Sequence, residues 1–179
     1  MKYKLVLFLL LMLGAVSCSK IEPRKPINPK PSTTLYFEAM QQNKILNQKA
    51  DVLIAALIQK DSTTQYIQSS NGFWYTYNEK VEEDLPTPKQ GDEITITYSI
   101  SDLNDSIIYS KEELGLKTYK VDREDFITGL QKGVKLMKVG ETVTFVLPAY
   151  SAFGITGDNN KIGLNQSIKS TLTLININK

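Results

Sequence analysis

The chain has 179 residues, 41% of them hydrophobic and 22% charged, which suits a globular protein with room for one ordinary domain and its attachments. Its 21 basic and 19 acidic residues differ by two, and Lys2 and Lys4 account for the difference, so the chain beyond residue 17 is neutral and makes no electrostatic case for nucleic acid or an anionic surface. Histidine is absent from the sequence, which excludes Ser-His and Cys-His nucleophiles, imidazole acid-base chemistry and histidine metal sites.

The first residues, MKYKLVLFLLLMLGAVSC, place two lysines before an apolar run from Leu5 to Val16 and then small residues before the single cysteine, Cys18. Residues 1–17 read as a secretory signal, too short to span a bilayer. AVSC resembles a bacterial lipobox, with Ala15 where leucine is usual, so Cys18 is the expected lipidated first residue of the mature chain, facing the periplasm from the cell envelope. Ser19, in place of an aspartate, favours the outer membrane. Residues 18–34 hold four of the seven prolines and read as an extended tether, reaching up to roughly 45 Å at about 3.1 Å per residue.

Residues 35–90 carry a helix, a strand and a linker. From Tyr36 to about Lys60 the residues Leu46, Ala50, Leu53 and Leu57 recur at helical spacing, and Ile54 and Ile58 widen the stripe. Such a face packs on its own domain or serves as a homodimer seam. GFWYTYN, Gly72 to Asn78, is rich in strand formers and follows the turn residues SSN, and Pro86, Pro88 and Gly91 then break regular structure.

From Gly91 to Lys179 strands dominate. ITITYSI places Ile94, Ile96, Tyr98 and Ile100 on one face, and IIYS follows a polar turn at Asn104 to Ser106. One short helix lies in VDREDFITGLQKGVKLMKVGE, with Asp122 as its expected N-cap and Phe126, Ile127, Leu130, Val134 and Met137 on its core side. Gly129 and Gly133 would let it approach a sheet closely. ETVTFVLP and SIKSTLTLININ are further alternating strands. The class predicted is α+β, an antiparallel sheet with one short inserted helix behind an N-terminal amphipathic helix.

The loop AYSAFGITGDNNKIG, Ala149 to Gly163, could cradle a phosphate, wrap calcium or wall an apolar pocket. The Gly-Lys-Ser/Thr ending of a phosphate loop is missing. Asp158, Asn160 and Gly163 fit calcium-loop positions, but Ile162 and Lys169 fall where ligating oxygens are needed. The carboxylate pairs Glu112 and Glu113, and Glu124 and Asp125, are adjacent and point apart into solvent. No Ser-x-x-Lys stands at a buried helix start. An apolar set remains, Tyr98, Phe126, Ile127, Leu130, Phe153 and Ile162, which converges if the sheet wraps the helix.

The order of GDEITITYSI, FITGLQKGVKLMKVGETVTFVLPAYSAFG and a terminal alternating strand resembles the FKBP-type peptidyl-prolyl isomerases over Gly91 to Lys179. The resemblance implies an FKBP-like sheet wrapped around the short helix, an isomerase of proline-containing polypeptides, and no cofactor or metal. It implies catalytic positions at Tyr98, Phe126, Ile127, Leu130 and Phe153, with the Ile127 N–H donating to a ligand carbonyl. It implies substrate contacts at Ile108, Tyr109, Tyr119, Ile162 and Ser170. Several positions depart from the family pattern: Leu130 replaces a tryptophan, Ile108-Tyr109 a Phe-Asp pair, and Ser170 an aromatic residue. A non-catalytic chaperone or protein-binding lipoprotein is the alternative these departures leave open. The sequence is also similar to the gliding-motility-associated FKBP lipoproteins of gliding bacteria, in KTYKVDREDFITGL, GITGDNNKIG, the lipobox and the tether.

Overall fold

The structure, a computed structural model, describes residues 32–178. The signal segment, Cys18 and the tether as far as Pro31 lie outside the described residues. The elements are helix α1 (Ser32–Lys60), strands β1 (Ile67–Gln68), β2 (Trp74–Glu79), β3 (Glu93–Ser101) and β4 (Ile107–Tyr109), and a single turn of helix, α2 (Lys111–Leu114). Strand β5 (Leu116–Lys120), helix α3 (Thr128–Gly133), β6 (Thr142–Leu147) and β7 (Ile168–Asn178) complete them.

The seven strands form one antiparallel sheet, six of them in the order β1-β2-β6-β7-β3-β4 and the seventh, β5, paired beside β4 on β3. Strand β3 is its hub. One edge pairs with β7 along its whole length, while the other pairs with β5 at residues 93–97 and with β4 at residues 100–101. Its alternation is strict: Ile94, Ile96, Tyr98 and Ile100 are buried and the residues between them half-buried, the signature of a strand with one face on a core. This is the α+β arrangement expected, an antiparallel sheet with the helix α1 before it in the chain and α3 packed against it.

The core lies between the sheet and α3. It gathers Ile94, Ile96, Tyr119, Val121, Leu130, Val134, Met137, Phe145, Leu172 and Leu174, with Phe73 closing it beside β2. The two glycines of α3 do what their spacing implied. A Cβ on Gly133 would sit 2.5 Å from Cε1 of Phe145, and one on Gly129 would sit 2.6 Å from Cδ2 of Leu147; side-chain atoms essentially never approach so closely, so the helix reaches the sheet only because both positions lack a side chain.

Two expectations are corrected. Asp122 does not cap α3: its φ of 55° is left-handed, whereas an N-cap residue is extended, and the helix starts at Thr128 with Ile127 before it. Asp122 instead occupies the turn after β5, where its carboxylate accepts from Lys135 Nζ at 2.7 Å and its N–H donates to Gln131 Oε1 at 2.9 Å. Gln131 Nε2 in turn donates to Glu124 O at 2.8 Å, so a glutamine of α3 holds the preceding loop. The second correction concerns α1, which attaches along Ile54, 1% exposed, while Leu53 is 57% exposed. Successive helical residues are about 100° apart, and a contact line through Ile54, with Leu46, Ala50, Leu57 and Ile58 half-buried, leaves Leu53 on the shoulder.

The linker between β2 and β3 is also held. Lys138 Nζ donates to Val81 O and Glu83 O, and the buried Glu141 carboxylate accepts the N–H groups of Val81 and Lys138.

Candidate functional site

A groove enclosing about 360 Å³ opens beside the start of α3, lined by Tyr98, Asp125, Phe126, Ile127, Ala152 and Phe153. Three chain segments meet there: the middle of β3, the loop leading into α3, and the 3₁₀ turn after β6 at Ala149–Ser151 with the two residues beyond it. Four of the residues expected to be catalytic, Tyr98, Phe126, Ile127 and Phe153, therefore share one groove. Leu130 is fully buried in the core and does not line it.

Phe126 is fixed from several sides. Its ring stands edge-to-face on Tyr98, centroids 5.4 Å apart at 88°, and packs on Tyr119 at 4.6 Å and 38°. Lys117 Nζ lies 6.0 Å from its centroid, within cation–π range. Tyr119 is thus one ring removed from the groove, and its hydroxyl is buried without a hydrogen-bond partner among the described residues. Burial pushes the phenols of Tyr98 and Tyr119 up, and for Tyr119 the nearby Asp122 carboxylate and Tyr98 add to the effect; both remain neutral donors at any physiological pH.

Ile127 contributes in two ways. Its side chain is buried in the core, and its carbonyl accepts from Gln131 N–H at 2.9 Å to start the helix. Its N–H has no acceptor among the described residues, an arrangement expected of the first donors of a helix. The groove therefore has an aromatic and aliphatic lining, and a backbone donor without an acceptor among the described residues stands beside it. Asp125, at the rim, supplies its charge. Among the described residues no three carboxylate, cysteine or histidine side chains gather as metal ligands would.

The remaining expected contacts lie elsewhere. Ile162 is buried in the core. Ser170 is buried within the sheet, between Ile100 and Phe145 on the neighbouring strands, and its Oγ donates to Ser99 O at 2.9 Å. Ile108 and Tyr109, half-buried on β4, pack against the core. Ala152, which the sequence did not single out, and Asp125, expected only as one of a solvent-facing carboxylate pair, also line the groove; the signal for Ala152 was its place beside Phe153, since a small residue next to a wall aromatic leaves space for a ligand.

The loop tip is exposed at Asn159, Asn160 and Lys161 and is also pinned to β4 and α2. The Tyr109 hydroxyl donates to Asp158 Oδ2 and accepts from Asn160 Nδ2 at 3.0 Å. Asp158 Oδ1 accepts the N–H groups of Asn160 at 2.9 Å and Ile162 at 2.8 Å. Lys161 Nζ pairs with Glu113 of α2 and lies 4.7 Å from the Tyr109 ring centroid. The bond to Asp158, and then partial burial, push the Tyr109 phenol up. Partial burial pushes the Asp158 carboxyl up as well, but Tyr109 and the two N–H donors outweigh it and hold the group below the ordinary carboxylate value.

A sheet packed on a short helix, with a groove at the helix start that is apolar except for Asp125, is the frame in which the family comparison falls. The family model for FKBP-type peptidyl-prolyl cis-trans isomerase matches residues 85–175, half of the sequence, and the chain belongs to that family. Among solved structures, FkpA from Escherichia coli is similar with a TM-score of 0.61 at 18% identity, covering 99% of this chain and 82% of that one. A peptidyl-prolyl cis-trans isomerase from Pseudomonas syringae pv. tomato is similar with a TM-score of 0.60 at 14% identity, covering 76% of this chain and 96% of its own. At these identities the likeness shows the fold.

Proposed function

We propose that the protein is an active peptidyl-prolyl cis-trans isomerase that assists the folding of proline-containing envelope polypeptides. The observation that carries this reading is the groove: Tyr98, Phe126, Ile127, Ala152 and Phe153 around a space of about 360 Å³, with the free Ile127 N–H beside it. The chemistry needed is small. Amide rotation faces a barrier of about 18–20 kcal/mol, crossed unaided at prolyl bonds in tens of seconds or longer. Each 1.4 kcal/mol or so removed is worth about tenfold. An apolar, water-poor groove disfavours the charge-separated planar amide more than the twisted one, and the Ile127 N–H would hold the carbonyl next to the proline ring. No proton transfer is required, so the absence of histidine costs this activity nothing.

Leu130 and Ser170 bear on the rate. Both stand where the family usually carries aromatics; Leu130 is buried in the core and Ser170 within the sheet, and the remaining groove residues are expected to sustain turnover. Purified protein should accelerate cis-trans exchange of an Xaa-Pro peptide, and Phe126→Ala should remove most of that acceleration. A folded protein with no acceleration at micromolar concentration would be the non-catalytic binder instead.

The expected lipobox at Cys18 and the proline-rich tether support a periplasm-facing position on a lipid anchor, in the outer membrane by the choice of Ser19, and the resemblance to gliding-motility lipoproteins supports clients in that machinery. Labelling with a radioactive or alkyne fatty acid, lost in Cys18→Ala, tests the anchor. For α1 a homodimer seam is proposed, because Met40, Ile45, Val52 and Leu53 are all exposed; sedimentation of the wild type beside Val52→Glu tests it, a persistent monomer counting against the seam.

A further inference from the structure

The segment 154–163 begins at the groove wall, Phe153, and returns to the core at Ile162. Two kinds of contact hold it. At its start Gly154 N–H donates to Ala149 O of the preceding 3₁₀ turn at 2.7 Å, and within the segment Asp158 N–H donates to Ile162 O at 3.2 Å. Gly157, at φ 69°, lies so close to the carbonyls of Ile162 and Gly163 that a Cβ there would collide with them. The segment is therefore a closed loop with its own shape. Its ends are rooted by Phe153 and Ile162 on the core, and its tip is tied to the sheet chiefly at one residue of β4: the Tyr109 hydroxyl donates to Asp158, accepts from Asn160, and its ring underlies Lys161, which is also bonded to Glu113 of α2. A hydroxyl donating to a carboxylate while accepting from an amide uses both of its capacities, and the bond to an ionised acceptor is among the stronger kinds. Asp158 likewise spends one oxygen on the loop's own N–H groups and the other on Tyr109. It is the joint between the loop's internal shape and its attachment.

We propose that Tyr109 is a specificity-determining positioning residue: its hydroxyl latches the 154–163 flap through Asp158 and Asn160, and so fixes where the Phe153 wall stands and which side chains preceding proline the groove admits. The inference rests on the isomerase reading above. Tyr109 does not line the groove, so it acts on the substrate through the flap. Ile155, 55% exposed and two residues from Phe153, is the apolar side chain the flap presents to solvent; freeing the flap would let it move with the wall. A latched wall accepts a narrow range of neighbours, and an unlatched one accepts many, each less well.

The test uses the protein with Tyr109→Phe and, separately, Asp158→Asn, each of which removes the joint while keeping side-chain volume. Two quantities are read: hydrogen exchange of the amides of residues 155–163, and kcat/KM over a series of Xaa-Pro peptides that varies the residue before proline. Both variants should raise flap exchange by about tenfold, the change expected on losing one charge-assisted bond. The spread of kcat/KM between best and worst peptide should shrink severalfold, through KM rather than kcat, and the double variant should be no worse than the single ones. An unchanged spread overturns the proposal whatever the exchange data show, as does a fall in kcat at constant KM, which would put Tyr109 on the reacting bond. If wild-type turnover is absent, the isomerase reading fails by itself, and the spread in peptide affinity then decides the latch. Peptides that neither turn over nor bind overturn both.

Discussion

The two walls of the groove are built on different physics. On one side, Phe126 and Ile127 are backed by Tyr119, Tyr98 and the buried face of α3, so the wall is positioned by packing at interior density, which yields little. On the other, Phe153 opens a loop whose attachment runs through Tyr109, Asp158, Asn160, Lys161 and Glu113 at a half-exposed surface. Bonds of this kind are weaker in water and easier to re-form. The groove thus has a stiff wall carrying the candidate donor, the Ile127 N–H, and a second wall whose position is open to adjustment by single polar substitutions.

Changes to the packed wall should be costly and global. Leu130→Ala, at a fully buried core position, should lower unfolding free energy by about 2–5 kcal/mol in urea denaturation. Gly133→Ala, whose new Cβ would press on the Phe145 ring, should cost about 1–3 kcal/mol by the same measurement. If either were neutral, the packed wall would be softer than its geometry implies. Phe153→Ala, on a partly buried residue of the other wall, should cost less stability and reduce kcat/KM by roughly tenfold, about 1.4 kcal/mol of transition-state stabilisation. The smallest effect is on pH. The Asp158 carboxyl is held below its usual value, so its latch contribution is present above the ordinary carboxylate range and is lost as pH falls through the lowered value. Tyr109, pushed up, keeps its proton past the ordinary phenol range. The amide resonances of Asn160 and Ile162 should therefore stay constant from about pH 5 to about pH 9 and shift only below about pH 4; movement near neutrality would break the comparison.

What could be read in advance follows the same division. The strands announce themselves because a one-sided sheet imposes strict alternation, and Gly129 and Gly133 announce a close helix-sheet contact because only that repays their poor helix propensity. Tyr98, Phe126, Ile127 and Phe153 were placed together by motif order, and they line one groove. Asp122 misled because capping spacing says nothing of a left-handed φ. Ser170 could be read only as a missing aromatic, since its bond to Ser99 O depends on pairing two distant strands. Tyr109 was visible as a departure from a Phe-Asp pair, but its partner Asp158 lies 49 residues away. A polar latch leaves no periodicity: each residue in it, taken singly, is an ordinary surface residue.

The central claim is that this groove turns prolyl bonds. The most direct measurement is the cis-trans exchange rate of an Xaa-Pro peptide, by NMR exchange spectroscopy, with wild-type protein beside Phe126→Ala and with folding of both checked by circular dichroism. Exchange should accelerate at least a hundredfold over the unaided rate at saturating wild-type enzyme, which needs only about 3 kcal/mol of barrier lowering, and fall at least tenfold in the variant. Equal, unaccelerated exchange with two folded proteins would contradict it.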